Sequence, residues 1–71
     1  MTTMRPLDLL SGLSNQRILV RLKNGLEIRG ELKAFDVHIN LVLYDAEIDE
    51  GEVTRKFQKV FLRGDMIIFV S

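Results

Sequence analysis

Residues 17–34 constrain the fold more than any other stretch of this chain. Ile18, Val20 and Leu22 alternate with Arg17, Leu19, Arg21 and Lys23; after Asn24-Gly25, Leu26, Ile28, Leu32 and Ala34 alternate with Glu27, Arg29, Glu31 and Lys33. A period of two puts each apolar set on one side of an extended strand. Asn and Gly both tolerate the positive φ of a type I′ turn, so the pair joins two antiparallel strands. Gly30 falls on the apolar face in the middle of the return strand, where glycine weakens a flat sheet but permits bending or close backbone approach. With 71 residues in all, a sheet that curls around its own apolar face is the economical way to make a core.

The flanking segments fit that sheet. Pro6–Leu13 reads as a helix: proline suits the first helical position, Asp8 suits the first turn, Leu7 and Leu10 recur at helical spacing, and Gly12 offers a stop. So short a helix must rest on something else, here the open end of a barrel. Asp36-Val37-His38-Ile39-Asn40 interrupts the alternation as a tight connection, followed by a third strand over Leu41–Ile48. Asp49–Glu52 reads as an acidic solvent loop, Val53–Leu62 as a long amphipathic fourth strand, Arg63-Gly64 as a turn and Asp65–Val70 as a fifth strand. The expected architecture is mainly β: an N-terminal helix, then a strongly bent five-stranded antiparallel sheet forming a small open barrel, all in one domain over residues 1–71.

The last strands raise the question of assembly. Met66-Ile67-Ile68-Phe69-Val70 is apolar on both faces, and the fourth strand turns apolar at Val60-Phe61-Leu62. At a sheet edge, such strands invite pairing with other chains, and only a contact that closes avoids fibres. There is no cysteine and one histidine, so neither disulfides nor a protein-only structural zinc site can stiffen so small a fold. A ring of identical copies is the expected solution.

Other function classes fare poorly. Ten basic and ten acidic residues cancel, which argues against broad nonspecific wrapping of nucleic acid but leaves room for a local site. There is no GxSxG, no phosphate-binding glycine loop, and no nucleophile near His38, so neither catalysis nor a cofactor is expected. No membrane-length apolar run or signal-peptide pattern occurs, and a cytoplasmic location is expected.

Two loops hold the candidate residues. Asp36, His38 and Asn40 alternate, so their side chains can emerge on one side of an extended segment. They can be ordinary loop chemistry, with Asp36 capping a turn and Asn40 bonding its own backbone. They can equally recognise a base, since imidazole stacks and an amide offers one donor and one acceptor face. Arg63-Gly64-Asp65 can be a turn with a weak surface ion pair; its match to a cell-adhesion tripeptide is accidental. A guanidinium plane could also cover the base face opposite His38.

Taken together, Asn24-Gly25, Gly30, Asp36 and Asn40 within Ile18–Ile48, and Arg63-Gly64-Asp65 within Val60–Val70, resemble the two motifs of the Sm-like (LSm) family, most closely its short archaeal members. The resemblance covers Pro6 to Val70. It implies a ring, usually of seven subunits in archaeal members, in which the fourth strand of one subunit pairs with the fifth of the next. It also implies binding of uridine-rich single-stranded RNA around the inner rim, a role in RNA metabolism or ribonucleoprotein assembly, and contacts with RNA-processing proteins. Carried over, His38 and Arg63 sandwich uracil, Asn40 reads its edge, Asp65 orients Asn40, Gly64 shapes the loop, and Asp36 organises the first loop. Met66 replaces the polar residue usual after that tripeptide.

Tyr44, Phe35, Phe57, Phe61 and Phe69 are expected mostly in the core or at subunit contacts. Phe35 is the residue to check, because its parity sets it with Lys33 rather than with Leu32 and Ala34. A small barrel that adds protein segments to an exposed strand, or a purely structural assembly module, is the competing function; it explains the edges but gives His38, Asn40 and Arg63 no common task.

Overall fold

The computed structural model describes residues 5–71. Helix α1 (Pro6–Leu13) starts where expected, with the Arg5 backbone N–H donating to the Asp8 carboxylate at 3.1 Å. Leu10 is its buried residue, and Leu7 and Leu13 pack at the core margin. Gly12 does not stop the helix. The chain reverses later, at Asn15 with φ 63°, whose N–H donates to the Leu32 carbonyl at 2.7 Å.

Strands β1 (Arg17–Leu22), β2 (Glu27–Phe35), β3 (Leu41–Glu50), β4 (Val53–Leu62) and β5 (Ile67–Val70) form one antiparallel sheet in the order β4-β3-β2-β1-β5. Its concave side buries Ile18, Val20, Ile28, Leu32, Leu41 and Leu43, with Leu10 of the helix and Leu62 of β4 joining them. The hairpin turn falls at Asn24-Gly25 as expected but is not type I′, because only Gly25 is left-handed, with φ 88°. The Gly25 N–H donates to the Leu22 carbonyl at 3.0 Å, and the Leu22 N–H donates to the Leu26 carbonyl at 2.9 Å. Lys23 thus joins a three-residue loop in which the Asn24 side chain accepts the Leu26 N–H at 3.1 Å.

Gly30 is required for space as well as for bending. A Cβ there would stand 3.0 Å from Leu43 Cβ and 3.2 Å from the Ala46 Cα. The β2–β3 register slips between Arg29 and Glu31, and across from it Asp45 takes φ 51°. The added residue in β3 is a β-bulge, which sharpens the local twist and bends the sheet.

Four further expectations need correction. A second register slip between Leu32 and Ala34 inverts the end of β2: Ala34 is exposed and Phe35 packs against the core. Asp49 and Glu50 belong to β3 rather than to a solvent loop, paired across the hairpin with Thr54 and Val53 and bonded to Arg29 and Arg55 respectively. Asp65 and Met66 lie in a 3-10 turn (Gly64–Met66), so β5 starts only at Ile67. The amphipathic pattern of β4 buries little within one chain, because Val53–Lys59 is exposed on both faces and only Val60 and Leu62 pack against the core.

Both sheet edges are therefore open. β4 lies at one end of the strand order and β5 at the other. Large apolar side chains remain exposed on each: Phe57 and Phe61 on β4, Ile68 and Phe69 on β5. Tyr44 lies outside the core, with the Lys33 and Lys59 ammonium groups 5.8 and 5.3 Å from its ring centroid.

Candidate functional site

The β2–β3 connection is built around one carboxylate. Asp36 Oδ1 accepts the backbone N–H of His38 at 2.9 Å and of Asn40 at 3.1 Å, while Oδ2 accepts Asn40 Nδ2 at 3.0 Å. The Asn40 side-chain bond is the main cause that holds the Asp36 carboxyl below the ordinary aspartate value of 3.8; the two backbone bonds and nearby His38 also lower it, against an opposing contribution from desolvation. Each bond favours the charged acceptor.

Asn40 couples this loop to the second one. Its Oδ1 accepts the Gly64 N–H at 2.8 Å, while its amide nitrogen faces Asp36. Rotating the amide by half a turn would oppose two donors on one side and two acceptors on the other, so its orientation is determined. One N–H and one carbonyl lone pair remain for a ligand. Gly64 closes the junction: a Cβ there would lie 1.9 Å from the His38 carbonyl oxygen, so only glycine fits without backbone movement.

Arg63 Nη2 donates to Asp65 Oδ2 at 3.0 Å, and both side chains are largely exposed. Such a pair contributes little to stability, yet it restrains the guanidinium while leaving its planar faces free. Asp65, expected to orient Asn40, instead bonds Arg63; Asp36 holds the amide. Asp36, expected to organise the first loop, accepts the His38 and Asn40 backbone N–H groups.

His38, Asn40, Arg63, Gly64 and Asp65 all line one open cavity of about 570 Å³. Asp36 stands behind it. Phe61 forms the remaining wall and is 63% exposed. Among the aromatics expected mostly in the core or at subunit contacts, Phe61 is not in the core: its parity opposite buried Leu62 turns it outward. Among the described residues, no cluster of three or more histidine or carboxylate side chains is placed to hold a metal. No described helix is long and apolar enough to cross a membrane.

The arrangement supplies two planar groups, a fixed amide and a backbone cradle around a space open to solvent. The LSM domain pattern matches residues 8–71. An snRNP Sm-like protein of Methanosarcina barkeri is 52% identical over 68 residues, covering 94% of each chain. The structure of the Pyrococcus abyssi Sm protein in complex with a uridine heptamer superposes with a TM-score of 0.89 at 42% identity, over 96% of this chain and 97% of that one. The SmAP1 heptamer of P. aerophilum superposes with a TM-score of 0.91 at 33% identity, over 99% and 95%.

Proposed function

The chain belongs to the LSM-domain family, and on that premise we propose that it assembles into a ring of its own copies that binds short uridine-rich single-stranded RNA at a base site repeated in every subunit. The observation that carries the reading is the convergence of His38, Asn40, Arg63 and Gly64 on one open cavity from two loops far apart in sequence. His38 and Arg63 cover the two faces of uracil. The free N–H and lone pair of Asn40 read its edge, which offers both acceptors and a donor. Asp36 holds that amide, and Asp65 restrains Arg63.

Assembly follows from the open edges. β4 of one subunit adds to β5 of the next, which covers Phe57, Ile68 and Phe69 and satisfies both rows of backbone groups. Seven subunits is the proposed number, supported by the related heptamer. The residues 5–71 act as one unit that binds rather than transforms RNA, and RNA-processing proteins are its expected partners.

Asp65 pairs with Arg63 at 3.0 Å, and the planar guanidinium is expected to act by stacking as well as by charge. The test is to titrate short uridine and adenosine oligonucleotides at fixed salt with wild-type, Arg63→Lys, Arg63→Ala and Asn40→Ala rings, checking mass by sedimentation. Arg63→Lys should lose nearly as much as Arg63→Ala, about 1–3 kcal/mol per bound base. Asn40→Ala should erase the preference for uridine. Full affinity in Arg63→Lys would leave Arg63 as a charge only. A wild-type chain that sediments as a monomer, or binds neither oligonucleotide, would sink the proposal.

A further inference from the structure

Ile39 sits between His38 and Asn40 with φ 63°. This left-handed conformation is rare for any residue with a Cβ and rarer still for a β-branched one. The local geometry explains why it arises. The Ile39 N–H donates to the Asp36 carbonyl at 3.0 Å, closing a turn, and the Asp36 N–H donates to the Asn40 carbonyl at 3.3 Å, closing the hairpin. A hairpin of this type places a left-handed residue directly after its turn, and that position normally belongs to glycine. Here it carries isoleucine.

The compensation is visible in the packing. Ile39 is half-buried and packs against the core. Its side chain lines an apolar cavity between α1 and β5 together with Leu10, Ile67 and Val70, on the far side of Gly64 from the base site. His38, by contrast, is exposed. The loop is thus bonded by Asp36 on one side and pinned to the core by a single side chain on the other. Strained residues of this kind persist only where the surroundings over-determine them, and they concentrate at ligand clamps.

We propose that Ile39 is a positioning residue for base recognition. Its anchored side chain holds the strained backbone that fixes His38 and Asn40 at the rim of the cavity, so that the site is ordered before RNA arrives. The inference rests on the base-binding reading above. A glycine at 39 would remove both strain and anchor. The loop would then have to be ordered at each binding event, which weakens apparent affinity by the entropy of about one backbone residue, on the order of tenfold per site.

The experiment compares wild type, Ile39→Met, Ile39→Gly and His38→Ala as intact assemblies. Short uridine and adenosine oligonucleotides are titrated, with sedimentation mass and thermal midpoint measured for each protein. Ile39→Met keeps an apolar anchor and should retain most of the affinity and the uridine preference. Ile39→Gly should keep the assembly mass but bind uridine about tenfold more weakly and with reduced preference over adenosine. Wild-type affinity and preference in Ile39→Gly, whatever its thermal midpoint, would overturn the proposal, as would an Ile39→Met protein as impaired as the glycine variant. If His38→Ala binds like wild type and wild type shows no uridine preference, the base-binding reading itself fails, and the role of Ile39 falls with it.

Discussion

Replacing Gly64 with alanine tests the junction between the two loops. The new Cβ would stand 1.9 Å from the His38 carbonyl oxygen and 3.0 Å from the carbonyl carbons of His38 and Ile39. An ordinary carbon–oxygen contact is about 3.3 Å or more, so the backbones must separate by more than an ångström. Neither side can yield by rotating a side chain, because every close atom is main chain. Overpacking of this kind costs about 1–3 kcal/mol. The separation also breaks the 2.8 Å bond from the Gly64 N–H to Asn40, adding about 0.5–1.5 kcal/mol. The combined loss of about 2–4 kcal/mol corresponds, for a domain this small, to a fall in thermal midpoint of about 10–25 °C. The assay is thermal unfolding at fixed protomer concentration, since assembly makes the midpoint concentration-dependent. Gly12→Ala is the internal control: nothing lies within 4 Å of its new Cβ, and in a helix the change should stabilise by about 0.5–1 kcal/mol. Two glycine-to-alanine changes thus carry opposite signs in one protein. A Gly64→Ala protein as stable as wild type would refute the close-approach argument.

Gly30→Ala should also destabilise, by about 1–3 kcal/mol, because its Cβ would meet Leu43 and the Ala46 backbone at 3.0–3.2 Å; denaturant unfolding measures it, and a neutral outcome would mean the sheet can relax there. Asp36→Asn should spare assembly mass but lower uridine preference, since an amide at 36 cannot accept with both of its polar atoms as the carboxylate does; paired titrations with uridine and adenosine oligonucleotides decide it. The Asp36 carboxyl is held below 3.8 in the folded chain, so the stability it contributes is complete above that value and lost as pH falls through the depressed one. Protonation of Asp36 should therefore leave uridine binding unchanged between about pH 8 and pH 5, and a loss in that window that vanishes in Asp36→Asn would contradict this.

What the sequence made legible follows from the range of each interaction. Helix bounds at Pro6 and Leu13, the place of the Asn24-Gly25 turn and the limits of β4 rest on local chemistry, and the structure has them where expected. The slip between Leu32 and Ala34 was invisible, because alternation counts residues and cannot detect one that has no partner opposite it. Phe35 turned inward for that reason alone. Asp49 and Glu50 looked like a solvent loop because their charges are compensated by Arg29 and Arg55, which lie elsewhere in the chain. In the candidate site, the residue types on the two loops were readable, but their division of labour was not. Whether Asp36 or Asp65 holds Asn40 depends on how Gly64 seats against His38, a contact between positions 26 residues apart that no local pattern encodes.

The strand order β4-β3-β2-β1-β5 also has a kinetic consequence. Every pairing from β1 to β4 joins strands adjacent in the chain, so each closes over one short connection. The β1–β5 ladder instead brings Val20 against Val70, across 50 positions. Chain-closure entropy rises with the logarithm of loop length, so closing tenfold more chain than a hairpin does costs about 2 kcal/mol more. That ladder can form cheaply only after the three hairpins have already shortened the path. Until then β1 presents an unpaired apolar edge, and the interval before β5 arrives is when the chain is most exposed to pairing with the wrong partner.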